Sequence, residues 1–522
     1  MIKDPFHKAL LNPTTYPEND GPIICRETHI SRLYFTPEYV YKIKKPVDLG
    51  FLNFTSLERR RHYCLEEIRL NSRLCPETYL GVVEIRKGER GFEIGEEGEI
   101  VEYAVKMRRL PEERMLDRQL CINPVDLPAN ILKVAHRLAA FHAGAQMIGS
   151  ATIPVMQMVQ LNWRENFSQA TLFSDDTLSS RALKILKDYE EAFLQTKGPI
   201  LEKRQTAGFV RDGHGDLHAE HICLTDPICI YDCIEFNDRF RIGDVTADLA
   251  FLLMDLDFRG RPDLSSLLWQ RYIQEFPLGE GADTVLPFFK IYRAFVRGKV
   301  NSILSKDQQA DNGVREEAKQ LARRYFNLAL GYLCPQCLIL TCVLMGVGKS
   351  TLARALIAAI NASHLQSDLV RKEMADRPST EHVEDPFEQG IYSAEFSLKT
   401  YDILWSRAFE RLSTRQSVVV DASFSKEDQR LRFLEEAEKQ GIPAFILDLR
   451  CPATIALNRL DARWSSGRDV SDGRSELYHR QAAHFEPPGP GNTVFQVDTT
   501  EDVDYNVQTI ICSIIAQTGR GL

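Results

Sequence analysis

The chain has 522 residues, of which 44% are hydrophobic and 26% are charged, and its formal net charge is -9. This length suffices for two or three domains with separate cores, and the composition is ordinary for a soluble globular protein. The net charge does not indicate a nucleic-acid-binding surface, although it is compatible with a local basic cleft. No apolar run reaches the roughly 18 residues of a membrane-spanning helix, and the start lacks a signal peptide's apolar core, so a cytoplasmic protein is expected.

The 12 cysteines are scattered along the chain. In a reducing compartment we expect them to behave as small buried hydrophobic residues. Cys334 and Cys337 form the one CxxC pair. Without a second such pair nearby, this spacing does not indicate a zinc or redox site.

Residues 1 to about 110 have the pattern of strands and hairpins around one helix. Thr28–Phe35 and Tyr39–Pro46 are predicted to pair as strands, and Leu57–Leu74 has helical periodicity. From about residue 111 to 332 the pattern is mainly helical, as in Leu132–His142, with short strand-like runs near His214 and at Ile228–Tyr231. The sequence thus predicts one domain over 1–332, with a sheet-rich small lobe and a larger helical lobe.

Residues 333–522 alternate apolar strands with amphipathic helices. The predicted strands are Leu338–Leu344, Ser417–Val420, Ala444–Leu449 and Val494–Val497. This alternation predicts a parallel sheet covered by helices. The stretch Pro487–Gly491 is predicted to be a loop.

A compact acidic motif, His214-Gly215-Asp216-Leu217-His218, lies in the first domain and is followed by Tyr231-Asp232. Phosphoryl transfer to a hydroxyl needs a carboxylate that aligns the acceptor, and Asp216 is the candidate. Asp232 follows an apolar run, as a metal-binding carboxylate at a strand end would. Glu235 and Asp244 are weaker candidates for a supporting role.

These residues carry a family resemblance. The segments 214–221 and 230–238 resemble the catalytic and metal loops of aminoglycoside phosphotransferase-like kinases, which are relatives of choline and protein kinases. The resemblance spans about 25–300 and implies an α+β, protein-kinase-like bilobal fold that uses ATP and Mg²⁺.

The resemblance also implies roles for residues outside the motif. The family's nucleotide-binding lysine maps to Lys42, with Lys44 on the same strand face as a rival, and its helix partner maps to Glu67. The stretch Tyr103–Met107 would be the hinge that receives the adenine, with Met107 among the nucleotide-binding residues.

Two departures from the family pattern bear on catalysis. His221 stands five residues after Asp216, where the family usually carries asparagine. Imidazole is a poor ligand for hard Mg²⁺. The site is therefore predicted to hold one metal through Asp232, to use His221 in a modified metal-binding role, or to have weakened catalysis. A glycine-rich loop is also absent, so residues 27–31 would have to cover the phosphates.

The second domain contains a phosphate-binding loop. Its nucleotide-binding residues are Gly346, Val347, Gly348, Lys349, Ser350 and Thr351. Lys349 would reach the β- and γ-phosphates, Ser350 would hold Mg²⁺, and the loop amides would surround the β-phosphate. Val343 occupies the position of the usual first glycine, but a strand before the loop and a helix over Thr351–Ala359 give the expected context.

Downstream residues favour a kinase over a motor protein. The run 417–421 resembles a Walker B strand that places Asp421 near Mg²⁺ or an acceptor hydroxyl. Asp368 and Arg371 are predicted to bind the acceptor. Arg459 and Arg463 lie four residues apart on a helix and could cover the transferring phosphate as catalytic groups.

Residues 337–515 resemble the ATP-binding P-loop kinases grouped with gluconate kinase, polynucleotide kinase and zeta toxins. The whole chain resembles bacterial two-domain proteins that join an aminoglycoside phosphotransferase-like domain to an AAA-type P-loop domain. The predicted fold is therefore a kinase-like bilobal domain followed by an α/β P-loop NTPase domain with a parallel sheet.

The function favoured by the sequence is a bifunctional ATP-dependent kinase that phosphorylates small-molecule hydroxyls at two nucleotide sites. In one alternative, the first domain senses nucleotide or substrate and regulates a C-terminal kinase or ATPase. In another, the second domain is a polynucleotide-end kinase with a basic groove at Arg371, Lys372, Arg459 and Arg463. Aminoglycosides as acceptors would need an acidic cleft, for which the candidate residues are Glu235, Asp238 and Asp244. The acceptors, the choice of ATP or GTP, and the oligomeric state stay open.

Overall fold

The structure is a computed structural model that describes residues 5–18, 21–89, 91–152, 154–308, 310–378, 389–466 and 475–519. Residues 463–466 are described by their backbone only. The chain divides into two compact units. The first unit is Met1–Leu161 with Lys197–Lys290, and the second is Asn162–Thr196 with Ile291–Leu522. Helical segments within the predicted first domain are thus grouped with the second unit, and the boundary at residue 332 stays a prediction from the sequence pattern.

A six-stranded antiparallel sheet forms the start of the first unit. Its strands are β1 (Ile24–Glu27), β2 (Ser31–Phe35), β3 (Tyr39–Lys44), β4 (Tyr79–Gly88), β5 (Gly91–Ile94) and β6 (Glu99–Arg108), in the order β1-β2-β3-β6-β4-β5. The predicted hairpin is β2–β3, in which Tyr34 pairs with Tyr41. The Thr36 hydroxyl accepts a hydrogen bond from the Tyr39 N–H at 2.9 Å and so closes the turn.

Helix α2 packs one face against this sheet. The short α1 spans Pro5–Leu10 and α2 spans Leu57–Asn71. Ser56 caps α2 by accepting the Arg59 N–H. Cys64, Glu67 and Leu70 recur at helical spacing and are all buried. Glu67 is therefore directed from the helix into the unit's interior.

The following part of the chain is mainly helical. Its helices are α3 (Leu116–Ile122), α4 (Leu127–Gly144), α5 (Val155–Ala170), α6 (Ser180–Thr206), α7 (Asp238–Arg241), α8 (Val245–Phe258), α9 (Pro262–Glu275), α10 (Ala282–Ser305) and α11 (Asn312–Gly331). Four short strands are β7 (Val210–Asp212), β8 (Ile222–Cys223), β9 (Cys229–Ile230) and β10 (Ile242–Asp244). Within the first unit, buried residues of α4, α8 and α9 share a core with β8 and β9. This core supports the loops that follow β7 and β9.

The second unit contains a five-stranded parallel sheet. Its strands are β11 (Leu338–Cys342), β12 (Ser363–Gln366), β13 (Val418–Asp421), β14 (Ala444–Arg450) and β15 (Val494–Asp498), in the order β12-β13-β11-β14-β15. Its helices after residue 338 are α12 (Lys349–Ile360), α13 (Ser367–Met374), α14 (Ala394–Ser413), α15 (Glu427–Lys439), α16 (Ala453–Ser466), α17 (Ser475–Ala483) and α18 (Val503–Thr518). Because the strands are parallel, the ends of β11, β12 and β13 lie at one edge of the sheet.

These two sheets confirm the predicted fold class, an antiparallel kinase-like region followed by a parallel P-loop sheet. The predicted strands and helices have their counterparts, with ends shifted by a few residues. No helix among the described residues has the length and apolar character needed to cross a membrane.

The prediction that the cysteines are small buried residues is wrong for a disulfide-bonded pair and for Cys121, which is exposed. Cys75 and Cys229 form a disulfide, with their Cα atoms 4.9 Å apart, whereas the ten other cysteines are thiols. The two partners are 154 residues apart in sequence, one after α2 and one in β9. Their proximity depends on the packing of α2 beside β9, and the sequence pattern contains no sign of it.

Candidate active sites

The first unit brings the predicted nucleotide lysine onto two acidic groups. The Lys42 ammonium on β3 lies 2.8 Å from the Glu67 carboxylate on α2 and 2.6 Å from Asp232 Oδ1. Its rival Lys44 lies 2.7 Å from the other oxygen of Glu67 and also pairs with Glu235. Lys42 is thus the lysine that contacts the predicted metal-binding carboxylate, and Glu67 binds both lysines.

The charges in this cluster stabilise one another. Burial tends to raise the pKa of Glu67, but the ammonium groups of Lys42 and Lys44 hold it below its usual value. Desolvation likewise raises the pKa of Asp232, but Lys42 and His221 together hold it below its usual value. Burial lowers the pKa of Lys42, whereas Asp232 and Glu67 raise it well above its usual value. All three groups are therefore charged near neutral pH.

The acidic motif is a turn whose shape requires glycine. Gly215 has φ +87°, and a Cβ atom there would lie 2.8 Å from the Phe240 carbonyl oxygen. The N–H groups of His214 and Gly215 donate to the buried Asp248 carboxylate at 2.7 and 2.8 Å. Asp248 on α8 thereby fixes the backbone that presents Asp216.

His214 connects this turn to the predicted metal loop. Its Nε2–H donates to the Tyr231 carbonyl oxygen at 2.9 Å, and its Nδ1 accepts the Asp216 N–H at 3.3 Å. Burial lowers the pKa of His214 to about 4, so the ring is neutral. Because Tyr231 precedes Asp232, His214 sets the relative position of the two carboxylates.

His221 lies between these two carboxylates. Its Nδ1 is 3.6 Å from Asp216 Oδ2, and its Nε2 is 3.5 Å from Asp232 Oδ2. His218 Nε2 lies 3.7 Å from the same oxygen of Asp216. Burial and the neighbouring His218 lower the pKa of His221. The predicted catalytic and metal-binding residues of the first unit are therefore grouped in one place.

The other acidic candidates of the first unit are held by cations. Asp244 accepts two hydrogen bonds from the buried Arg204 guanidinium, at 2.7 and 2.9 Å. Asp238 pairs with Arg241 at 2.6 Å, and Glu235 pairs with Lys44 as described above. Asp244 therefore has a structural role in capping α8.

Met107 lies at the end of β6, beside the connection to the helical region. The predicted hinge Tyr103–Met107 is strand, and the connection begins at Arg109. Met107 pairs in register with Val40 on one side and with Tyr79 on the other. Its contact with adenine stays a prediction.

The predicted phosphate-binding loop of the second unit joins β11 to α12. Gly346 and Gly348 have φ of +79° and +103°, and a Cβ atom on Gly346 would lie 2.6 Å from the Ala456 carbonyl oxygen. Val347 is buried and Thr351 is exposed in the first turn of α12. The loop therefore has the strand-to-helix context that the sequence predicted, with glycine where the backbone needs it.

Lys349 contacts the predicted Walker B carboxylate. Its ammonium lies 2.5 Å from Asp421 Oδ1, and His364 Nε2 lies 3.1 Å from Asp421 Oδ2. Desolvation raises the pKa of Asp421, but Lys349 and then His364 lower it, so the carboxylate is ionised. Asp368 also favours the charged form of Lys349. On the same loop, Ser350 Oγ accepts from the Gln366 amide at 3.4 Å.

The predicted arginines make contacts with the protein backbone. Arg459 donates to the Val347 carbonyl oxygen at 2.9 Å and to the Thr499 carbonyl oxygen at 2.9 Å. Arg371 is buried and donates to the Ile391 carbonyl oxygen at 2.6 Å. In this structure both arginines stabilise loops, and the Arg463 side chain lies outside the described residues.

Sequence reasoning missed three groups that shape the sites. His364 contacts Asp421 from the neighbouring strand, Asp248 holds the acidic turn, and the Tyr79 hydroxyl accepts the Asp232 N–H at 3.2 Å. Asp248 follows the motif by more than thirty residues within an otherwise apolar helix. Buried aspartates in a largely apolar helix, Asp248 and Asp255, were the available signal, whereas the contacts of His364 and Tyr79 depend on strand register.

The two sites differ in their suitability for Mg²⁺. The hydroxyl of Ser350 and the carboxylate of Asp421 are oxygen donors, which suit this hard cation. In the first unit, Asp216, His218 and His221 each bring a ligand atom within 4.8 Å of the others. That set includes imidazole nitrogen, which does not fit Mg²⁺ well.

Three known proteins are similar to this chain over part or most of its length. The chain is 29% identical over 469 residues to the uncharacterized protein Rv2004c of Mycobacterium tuberculosis. The aligned region covers 87% of this chain and 89% of the relative. A GDP complex of aminoglycoside 2'-phosphotransferase-IIIa is 14% identical and has a TM-score of 0.41, covering 62% of this chain and 99% of that chain. A gluconokinase from Sinorhizobium meliloti is 19% identical with a TM-score of 0.26, covering 35% of this chain and 94% of that chain.

The remaining comparison concerns the second half alone. Residues 338–488 match the family described as AAA domain. This stretch includes β11 and the phosphate-binding loop. The predicted organisation is a kinase-like region followed by an AAA-type P-loop domain, and the family match confirms its second part.

Proposed function

We propose that the chain is a bifunctional ATP-dependent phosphotransferase that transfers phosphoryl groups to hydroxyls of small molecules at two separate nucleotide sites. One observation carries the proposal. In each unit a largely buried lysine is bound to an ionised carboxylate, Lys42 to Asp232 and Lys349 to Asp421. Phosphoryl transfer requires such a lysine on the donor phosphates and such a carboxylate beside the reacting group.

At the first site, Lys42 binds the donor phosphates while Glu67 keeps its ammonium oriented. Asp216 lies on the turn held by Asp248, and its side chain is 35% exposed, so an acceptor can reach it. Asp216 aligns the acceptor hydroxyl and accepts its proton as the phosphoryl group transfers. Asp232 is the carboxylate that would hold a divalent cation beside the donor phosphates, where the cation would supply positive charge.

At the second site, the N–H groups of the loop and the N-terminus of α12 bind the polyphosphate. Lys349 moves away from Asp421 and contacts the β- and γ-phosphates. Ser350 and Asp421 are the residues that would hold Mg²⁺, which supplies positive charge next to the phosphates. Asp368 follows β12 at the same edge of the sheet and positions the acceptor.

The charge of the sites favours small, non-cationic acceptors. Asp238, Glu235 and Asp244 are all ion-paired, so they do not provide the acidic cleft that a polycationic aminoglycoside needs. A polynucleotide-end kinase would need an exposed basic groove, yet Arg371 and Lys372 are 7% and 1% exposed. Metabolites with hydroxyl groups fit these observations better than either alternative.

The test is ATP consumption in the presence of a small-metabolite extract, measured with Mg²⁺ and, in a parallel series, with Mn²⁺. The intact chain is compared with Asp216→Asn and Lys349→Ala, each of which removes one proposed site. We expect each variant to lose a separate part of the turnover, and the double variant to lose nearly all of it. Asp263→Asn and Lys399→Ala are matched controls because both side chains are at least 60% exposed and form surface ion pairs.

The outcomes separate the alternatives. If only Lys349→Ala lowers turnover, the first unit is a nucleotide- or substrate-binding module and the bifunctional proposal is wrong. If the controls lower turnover as much as the site variants, the assignment of both sites is wrong. Labelled products of the intact chain would identify the acceptors.

A further inference from the structure

The position of one imidazole ring points to the kind of cation that the first site takes. His221 Nδ1 is 2.9 Å from the main-chain carbonyl oxygen of Asp216. A carbonyl oxygen only accepts hydrogen bonds, so the ring proton belongs on Nδ1. The second ring nitrogen, Nε2, faces Asp232 Oδ2 at 3.5 Å.

This is the arrangement by which proteins orient a metal-binding histidine. Such a histidine usually donates its other N–H to a carbonyl or carboxylate, which fixes the tautomer and the ring orientation. Here that acceptor is the backbone of Asp216, the predicted catalytic residue itself. The lone pair of Nε2 is then directed at Asp232.

The 3.5 Å distance between His221 Nε2 and Asp232 Oδ2 fits two ligands of one metal ion better than it fits a hydrogen bond. An N–H···O hydrogen bond spans about 2.7–3.2 Å. Nitrogen and oxygen ligands bonded to one ion at about 2.0–2.2 Å, at angles between 90° and the tetrahedral value, stand about 3.0–3.5 Å apart. The observed spacing lies at the upper end of that second range.

The two oxygens of the Asp232 carboxylate face different groups, a lysine ammonium and an imidazole ring. Oδ1 lies 2.6 Å from the Lys42 ammonium, and Oδ2 is the oxygen that faces His221. Asp216 Oδ2 lies 3.6 Å from His221 Nδ1, on the protonated side of the ring, so Asp232 is the carboxylate that faces Nε2. One imidazole nitrogen with one carboxylate oxygen is a mixed ligand pair of intermediate softness.

We infer that the first site selects a divalent first-row transition ion over Mg²⁺, with His221 Nε2 and Asp232 Oδ2 as its ligands. This inference rests on the proposed function, since it concerns the metal of the proposed phosphotransfer site. The physical reason is that imidazole binds ions such as Co²⁺ and Zn²⁺ more strongly than it binds Mg²⁺, which prefers oxygen. The asparagine expected from the family resemblance would supply an amide oxygen there.

The experiment measures metal binding, with Co²⁺ as the probe because its visible absorption reports its ligands. The full-length, tag-free chain carries Lys349→Ala and Ser350→Ala, so that the phosphate-binding loop does not contribute a metal. Co²⁺ is titrated with and without a tenfold excess of Mg²⁺. His221→Asn is compared with His136→Asn, a substitution of a ring that is 70% exposed in the same unit.

We expect the parent to bind Co²⁺ with a spectrum unlike that of the hydrated ion, and Mg²⁺ in excess not to displace it. His221→Asn should weaken Co²⁺ binding by about tenfold or more, and His136→Asn should leave it unchanged. Equal Co²⁺ affinity and spectra in the parent and His221→Asn, or displacement of Co²⁺ by the tenfold excess of Mg²⁺, would overturn the inference.

A measurement on the parent alone covers the case in which His221→Asn does not fold. Pulsed electron paramagnetic resonance of bound Mn²⁺ detects a directly bonded imidazole nitrogen, and its absence would contradict the inference. Neither measurement requires an acceptor or turnover. Nitrogen-bound metal without phosphotransfer would therefore refute the proposed function only, and Mg²⁺-supported transfer without such a metal would refute this inference only.

Discussion

Glu67 offers a sharp test of the lysine–carboxylate cluster, because its neighbour in sequence provides a matched control. The Glu67 side chain is 0% exposed and binds the ammonium groups of both Lys42 and Lys44. Glu66, one residue earlier on α2, is 28% exposed and pairs with Arg69 on the surface. The two carboxylates thus differ in environment while sharing a helix.

Glu67→Gln leaves both lysines buried with one charged partner fewer. Breaking a buried ion pair costs about 3–5 kcal/mol, whereas a surface pair contributes about 0–1 kcal/mol. At 2–4 °C per kcal/mol, a loss of about 3 kcal/mol lowers the unfolding midpoint of the first unit by roughly 6–12 °C. We expect a shift of less than about 4 °C for Glu66→Gln.

Calorimetry of the full chain gives the unfolding midpoints, and ATP titration in the Lys349→Ala background reports nucleotide binding at the first site. We expect Glu67→Gln to weaken that binding, since Lys42 loses the group that orients it. The reasoning is refuted if Glu67→Gln and Glu66→Gln shift the midpoint equally, or if ATP binds both variants as it binds the parent.

Two further predictions concern the second unit. Gly346→Ala should weaken ATP binding at the phosphate-binding loop, because its φ is +79° and a methyl group would lie 2.6 Å from the Ala456 carbonyl oxygen; Gly489→Ala, where nothing lies within 4 Å, should bind ATP normally in the same titration. The pKa of Asp421 is held below its unfolded value of about 3.9 by Lys349, so its contribution to stability is present above that pH and lost as pH falls towards the folded value. Because an imidazole also contacts Asp421, the test lies below the range in which imidazoles titrate. The difference in unfolding midpoint between the parent and Asp421→Asn should shrink as pH falls below about 4, and a difference that grows between about pH 4 and 2 would contradict this.

Local sequence was sufficient wherever the signal was short-range. The strand before Lys349 and the helix after it follow from hydrophobic periodicity and from glycines at 346 and 348, and both are present. The β2–β3 hairpin was predictable for the same reason, since a short turn joins two alternating runs. Asp216 and Asp232 could be assigned to one site because their spacing carried a family resemblance.

Contacts that depend on packing could not be predicted in this way. The choice between Lys42 and Lys44 requires knowing how β3 faces α2, because both side chains point to the same side of the strand. His364 reaches Asp421 only through the register that aligns β12 with β13. The Cys75–Cys229 pair and Asp248 likewise depend on distant segments, for which one sequence supplies no pairing information.

The charge balance of the two sites has a consequence for how they bind nucleotide. In the first unit, Lys42 and Lys44 face three carboxylates, those of Glu67, Asp232 and Glu235, so this cluster has an excess of one negative charge if all are ionised. A polyphosphate adds further negative charge beside it, which is unfavourable in a partly buried site. A divalent cation on Asp232 reverses that balance, so nucleotide and metal are expected to bind together there.

The second site has a different balance. Lys349 and Asp421 cancel each other, and the loop amides with the N-terminus of α12 add positive potential without a metal. Polyphosphate can therefore bind this loop through backbone dipoles before any cation arrives. The two proposed sites are therefore expected to depend on metal to different degrees, and the first to depend on it more, because its carboxylates outnumber its lysines.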